Sequence, residues 1–183
     1  YNKIPKLQIE RAISPLLSIF INDLISSFLQ KNEELSGKIE MILPEFPLKK
    51  IEGNQSTNID WLLINKEKGV LLFVELKTAA SSFKQEQMDE YKLIQKYIQK
   101  FGANFLYEDL IKIRDNSNEQ GKYTFILELL EPYKDMFATI KKSSVIYIVP
   151  TRTKVSITDA PVLSFSELPE ILFHKYDNEW QQL

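Results

Sequence analysis

The sequence contains no cysteine and a single histidine, His174. Without thiols there is no disulfide framework, no thiolate metal cluster and no cysteine nucleophile. With one imidazole there is no histidine-dependent triad and no multi-histidine zinc site. Glycine is scarce, at 5 of 183 residues, and no glycine-rich phosphate loop occurs, so nucleoside-triphosphate hydrolysis has no support. No apolar run approaches the ~20 residues that span a bilayer. The longest, residues 16–29, is interrupted by Ser18, Asn22, Asp23, Ser26 and Ser27, so no membrane partner is expected. Residues 1–5 lack the basic, apolar and small-residue sections of a signal peptide, and the expected location is the cytoplasm, which the lack of cysteine suits. An excess of basic charge is also missing, since 23 Lys plus Arg face 25 Asp plus Glu for a net charge of −2. That excludes a wholly basic nucleic-acid coat and leaves room for a local basic groove.

What is present, 44% hydrophobic and 26% charged residues, fits one globular domain over residues 1–183. From Ile13 the apolar positions Leu16, Leu17, Phe20, Ile21, Leu24, Ile25 and Phe28 recur at three and four, the stripe of an amphipathic helix. Ser14-Pro15 reads as an N-cap followed by proline at the first helical position, which would leave Glu10 on a separate short helix begun near Pro5. Residues 39–50, with Pro44 and Pro47, read as an edge or bent strand. Residues 58–64 and 70–77 are rich in strand formers around the polar turn 65–69 and predict a β-hairpin. Ser82-Phe83-Lys84-Gln85 matches a capping box, so a helix is predicted from Phe83 to Phe101 with Gly102 as its stop. A mostly helical insert, broken near Asn116 and Pro132, is expected at about 103–142. Residues 144–149 then suit a buried strand, 154–157 a last strand and 168–173 a short closing helix. The fold class is α/β, a central mixed sheet flanked by helices.

Strand alternation places Leu71, Phe73, Glu75 and Lys77 on one side and Val70, Leu72, Val74 and Leu76 on the other. A hairpin turn centred near Glu67 sets Asp60 opposite Val74 or Glu75. Two carboxylates at the end of so apolar a strand repel each other and resist burial as charges. A divalent cation removes that cost, and Mg²⁺ needs only one or two carboxylates when a substrate supplies phosphate oxygens. Lys77 beside them would orient or deprotonate a water, or stabilise charge developing on phosphorus. Glu-Xaa-Lys by itself is also a common polar edge-strand pattern, and it is Asp60 in register and the apolar flanks that point to a site. Gln87 shares a helical stripe with Tyr91, Ile94, Ile98 and Phe101 and needs a hydrogen-bonding partner, either solvent at the helix start or the site itself. Trp61, on the other face from Asp60, reads as core. Lys92, Lys96 and Lys100 form a row at helical spacing, and with Lys49-Lys50, Lys141-Lys142 and Arg152-Thr153-Lys154 they are either phosphate contacts or solvated faces.

Asp60, then Glu75-Leu76-Lys77, then Gln87-Met88-Asp89-Glu90-Tyr91 resembles the PD-(D/E)XK nuclease superfamily, in particular its RecB-like branch with a Q-x-x-x-Y signature. The resemblance covers about residues 45–100, and beyond it only the strand at 145–149 fits. It implies a restriction-endonuclease-like fold and a nuclease that uses Mg²⁺, with Mn²⁺ as substitute, to hydrolyse phosphodiester bonds, with DNA the expected substrate. By the resemblance, Asp60 and Glu75 would be the metal-binding acids, the Leu76 carbonyl a further ligand and Lys77 the catalytic lysine. Gln87 and Tyr91 would orient the site. An acid from the first helix would complete it, for which Glu10 is the first candidate and Glu45, on the strand before the hairpin, its competitor. Ile59 stands where the family motif has proline, a departure that removes no ligand. The alternative is a nuclease-fold module that binds nucleic acid or a protein partner without cutting. Near-neutral charge also leaves room for a homodimer or a fused or associated protein to supply part of the binding surface.

Overall fold

The structure is a computed structural model that describes residues 6–49, 56–78, 82–151 and 160–171, with side chains from residue 12 onward. The Arg152-Thr153-Lys154 cluster, the strand expected at 154–157 and His174 lie outside the described residues.

The central element is β3 (Val70–Leu76), in which every residue is buried. A strand of this composition stays in water only if both of its faces and both of its edges are covered. On one edge β2 (Ser56–Asn65) pairs with it antiparallel, in the register Trp61 with Val74 through Asn65 with Val70. On the other edge β4 (Lys142–Val149) pairs with it parallel, Val70 with Lys142 through Leu76 with Ile148. β1 (Ile39–Lys49) lies antiparallel outside β2, and β5 (Val162–Ser164) parallel outside β4, giving a five-stranded mixed sheet in the order β1-β2-β3-β4-β5. The hairpin between β2 and β3 is as the sequence implies. Gly69 takes φ 62° in its turn, and the buried Asn65 side chain accepts from Lys68 N–H and donates to the Leu35 and Ser36 carbonyls.

The two faces of β3 divide as alternation requires. Leu71 and Phe73 join one apolar cluster with Tyr91, Ile94, Ile98, Val145 and Tyr147, which α2 (Gln85–Phe101) covers. Val70, Leu72, Val74 and Leu76 join a second with Leu17, Ile21, Leu24 and Ile25 of α1 (Lys6–Phe28) and with fully buried Trp61. Between α2 and β4 the chain forms α3 (Asn104–Asp115), α4 (Gln120–Leu130), a 3-10 turn at Glu131–Tyr133 and α5 (Lys134–Thr139), the helical insert with its breaks near Asn116 and Pro132. A 3-10 turn, Phe165–Glu167, leads into one helical turn that runs to residue 171, where the described part of the closing helix ends.

Three local expectations are corrected. The break at Ser14-Pro15 does not occur, and α1 runs as one helix of 23 residues with Pro15 inside it. Proline removes one helical hydrogen bond. The buried row Leu17-Ile21-Leu24-Ile25 outweighs that loss, and Ser18 bridges the region by donating to the Ser14 carbonyl at 2.9 Å while accepting from Trp61 Nε1 at 2.7 Å. Leu16 is not part of the buried stripe. It is 58% exposed, because the row from Leu17 defines the inward direction and a neighbouring residue lies about 100° around the helix. Finally, α2 begins at Gln85 rather than Phe83, since Lys84 at its N-cap is still extended (φ −106°, ψ 126°) and no side chain caps it. At its far end Gly102 stops α2 as expected, with its N–H bonded to the Ile98 carbonyl.

Gly102 carries φ 84°, and a Cβ there would lie 3.0 Å from the Ala138 carbonyl oxygen. Left-handed backbone and a backbone obstacle together make Gly102→Ala costly, by about 1–3 kcal/mol. Gly69 also has positive φ but open space around its Cβ position, so Gly69→Asn is expected to cost well under that. Urea unfolding of both variants checks this, with a shifted midpoint and unchanged m value expected for Gly102→Ala.

Candidate active site

The hairpin register decides which of two alignments holds. With Trp61 opposite Val74, the next position along places Asp60 opposite Glu75, on the face that also carries Leu62 and Phe73. The carboxylate of Asp60 is fixed there by the β3 backbone, Oδ2 accepting the Leu76 N–H at 2.7 Å. Among the described residues Oδ1 has no hydrogen-bond partner.

Around Glu75 the side chains close a ring of hydrogen bonds. Lys77 Nζ donates to Glu75 Oε2 at 2.7 Å and to Gln87 Oε1 at 2.9 Å. Gln87 Nε2 donates to Tyr91 Oη at 2.7 Å, and the Tyr91 hydroxyl donates to Glu75 Oε1. The Gln87 amide also lies 3.5 Å from Glu75 Oε2. Both arms of the ring start at the Lys77 ammonium and end on the Glu75 carboxylate, which requires the amide oxygen of Gln87 to face the lysine and its nitrogen the phenol. The local reason is plain: β3 delivers Glu75 and, just beyond its end, Lys77 to one face, and the first turns of α2 return Gln87 and Tyr91 over them. The partner that Gln87 needs is the site. One of the three Lys77 N–H groups has no role in the ring and no acceptor among the described residues.

Electrostatics follow from burial. Glu75 and Lys77 are 2% and 8% exposed. Burial pushes the Glu75 carboxyl up, against the pull of Lys77 and the Tyr91 hydrogen bond. Burial also pushes Asp60 up, to about 7, aided by the negative charge of Glu75 and opposed by the Leu76 N–H and Lys77. The Tyr91 phenol is driven up by burial and by Glu75, so it stays protonated and stays a donor. Tyr147, paired with Glu75 across the β3–β4 ladder, is raised by the same two causes and packs against Phe83 at 5.3 Å between ring centroids.

Of the two candidates for a further acid, Glu45 lies among the described side chains, and its charge reaches the site. Its neighbours pair as Pro44 with Trp61 and Phe46 with Ile59, so Glu45 stands across from Asp60 on β1. Its negative charge raises both Asp60 and Glu75. It is exposed and has φ 51°, unusual for a non-glycine residue and a local kink in an edge strand with proline at 44 and 47. Glu10 belongs to α1, which covers the opposite face of the sheet, and its side chain lies outside the described residues. Tyr147 escaped the sequence reading because nothing local announces how a parallel strand will register on β3. Among the described residues no three acidic or histidine side chains are grouped as a metal cage. Asp60 and Glu75 nevertheless bring two carboxylates together at the end of β3. The chain matches no family profile, no curated protein and no solved structure at a significant level.

Asp60 supplies a test of this electrostatic picture. Its ordinary value is 3.8 and its folded value about 7, so between these pH values the folded chain keeps a proton that the unfolded chain has lost. Stability from this group therefore falls as pH rises through that window. Asp60→Asn keeps an acceptor for the Leu76 N–H and removes the charge, so in chelator-treated buffer it is expected to raise Tm by several degrees at pH 8 and by little at pH 4. An equal change at both pH values would contradict the assignment.

Proposed function

We propose that this chain is a Mg²⁺-dependent nuclease of the PD-(D/E)XK, restriction-endonuclease-like kind, hydrolysing phosphodiester bonds, with DNA as its substrate. The observation that carries the reading is the convergence of Asp60, Glu75 and Lys77 at the end of a buried strand, with Asp60 pushed up to about 7 by burial and by Glu75. Such an arrangement holds two carboxylates in a place that disfavours both charges. A hard divalent cation is the ligand that reverses this, and a pair of carboxylates plus a carbonyl suits Mg²⁺, which completes its shell with water and phosphate oxygens.

Asp60, Glu75 and the Leu76 carbonyl would hold the ion, which when bound supplies Lewis acidity toward a water and a phosphate oxygen. The residues of the chain then divide the remaining work. Leu76 N–H holds one Asp60 oxygen in place and so aims the other. Gln87 and Tyr91 hold Glu75 and Lys77 in fixed rotamers, which keeps the lysine ammonium beside the carboxylate instead of in solvent. The remaining Lys77 N–H is placed to orient an attacking water or to meet negative charge as it develops on phosphorus. Glu45 adds negative potential at the mouth of the site.

A second reading has one observation in its favour. Both oxygens of Glu75 are already hydrogen-bonded within the protein, which is the arrangement of a structural carboxylate in a module that binds without cutting. The acceptor capacity left on a carboxylate, about four lone pairs in all, keeps the first reading ahead.

The deciding experiment is cleavage of supercoiled plasmid, linear duplex, single-stranded DNA and RNA with Mg²⁺ or Mn²⁺, alongside calorimetric titration of the metal. Metal-dependent cutting is expected, reduced about 10²-fold or more by Lys77→Ala with metal binding retained, and lost together with metal binding in Asp60→Ala. Metal affinity is expected to rise with pH up to about 7, since binding displaces the Asp60 proton. Metal binding without cutting of any substrate would favour the second reading, and absence of metal binding would overturn the first.

A further inference from the structure

Two of the lysine groups in the sequence, far apart in the chain, meet in the structure. Lys92 and Lys96, one turn apart on the exposed side of α2, and Lys141 and Lys142, at the start of β4, line one open cleft of about 600 Å³. Glu34 is the one acidic residue among its lining residues. Among the described residues none of the four lysines forms an ion pair, although the chain as a whole carries a net charge of −2. Four exposed ammonium groups round one cleft, with Glu34 the one carboxylate beside them, give it a positive local potential that favours an anion. The floor of the cleft joins α2 to β4. Gln95 Nε2 ties α2 to the Ser143 carbonyl at 3.1 Å, and Ser143 Oγ is buried beside it with no hydrogen-bond partner among the described residues. Buried polar atoms of that kind are rare and costly.

Position narrows the anion. The cleft sits at the start of β3, where Val70 lines it, and the candidate site sits near the strand's end at Glu75 and Lys77. At ~3.3 Å per residue the separation along the strand is roughly 16 Å. Lys92 directly follows Tyr91 of the site, and Lys96 stands a turn further toward the cleft, so basic groups lead from one to the other along α2. Phosphates on one DNA strand advance about 3.4 Å per nucleotide along the axis, which makes the separation about five nucleotides.

We propose that this cleft is a second nucleic-acid contact, gripping the phosphodiester backbone about five nucleotides from the bond at Asp60 and Glu75. The proposal rests on the nuclease reading for that geometry, while the cleft's affinity for a polyphosphate backbone is measured without metal and without cleavage. Lys92, Lys96, Lys141 and Lys142 neutralise phosphates and contribute no base recognition, so they set affinity and salt dependence and leave the chemical step alone.

The test is fluorescence anisotropy of a labelled 20-bp duplex, free of metal, over a range of salt, for wild type, for Lys92→Gln/Lys96→Gln/Lys141→Gln/Lys142→Gln, and for the corresponding four Lys→Arg replacements. Circular dichroism and Tm establish that each variant is folded. The slope of log K against log salt is expected to flatten by about 0.9 for each lysine engaged, about 3.6 for all four, in the Gln variant. The Arg variant is expected to keep the wild-type slope. In the cleavage assay the Gln variant is expected to raise KM for the 20-bp duplex with kcat unchanged, and to leave a substrate with fewer than about five nucleotides on that side of the cut unaffected. An unchanged slope in the Gln variant, or lysine-dependent binding to anionic phospholipid vesicles with none to duplex, overturns the proposal even if wild type cuts DNA. A flattened slope with no cutting by wild type upholds the cleft and counts against the nuclease reading.

Discussion

The structure turns on one buried carboxylate. Glu75 sits in a strand that is otherwise Val, Leu and Phe, with apolar layers above and below, and a bare negative charge there would cost several kcal/mol. The protein answers with directed hydrogen bonds from three side chains, and each of the three is itself placed by a different requirement of the fold. Lys77 follows from the pleat, since it lies two residues along β3 on the same face. Gln87 and Tyr91 follow from helical spacing, four apart on α2, with Tyr91 also serving as core against the sheet. Loosening any member leaves a buried polar group without its partner, so the geometry of the candidate site and the integrity of the core are the same problem.

Charge is distributed to match. The three acids that sense one another, Asp60, Glu75 and Glu45, gather at one end of the β1-β2-β3 sheet, while four lysines gather at the other end, where β3 and β4 begin. A chain with nearly balanced totals thus keeps an acidic group at one end of the sheet and a basic group at the other, with α2 running between them. Net charge conceals this, because it averages two local fields of opposite sign.

How much of this could be read from the residues divides along the range of the interactions. The hairpin, the faces of β3, the assignment of Trp61 to the core and the inward aim of Gln87 follow from periods of two and of three to four, which are local and survive into the structure. Pro15 shows where a local rule yields: its penalty is a few kcal/mol at most, and the row of buried residues that follows it in α1 outweighs it. Glu45, named from the sequence only as the competitor of Glu10, and Tyr147, not singled out at all, were harder to place by local reasoning for a different cause. Both reach the site only through the register of neighbouring strands, β1 on β2 with an irregularity between Met41 and Leu43, and β4 on β3 across a helical insert. Register between distant segments is set by the whole core and leaves no mark at the residues concerned. The meeting of Lys92 and Lys96 with Lys141 and Lys142 is hidden in the same way.

The order of pairing around β3 has a consequence for how the chain comes to be made. β2, the hairpin turn, β3 and the first turns of α2 are contiguous, so Asp60, Glu75, Lys77, Gln87 and Tyr91 can assemble with little loop-closure entropy as soon as that stretch has left the ribosome. The parallel partner β4 arrives only after α2, α3, α4 and α5 have been synthesised. Throughout that interval one side of Val-Leu-Leu-Phe-Val is an unpaired sheet edge, flat, apolar and free of proline, which is the template most prone to recruit a strand from another nascent chain. Docking of Lys142–Val149 is therefore the β3 pairing that closes the longer loop, and it is this edge of β3 that must wait for its partner as the chain emerges.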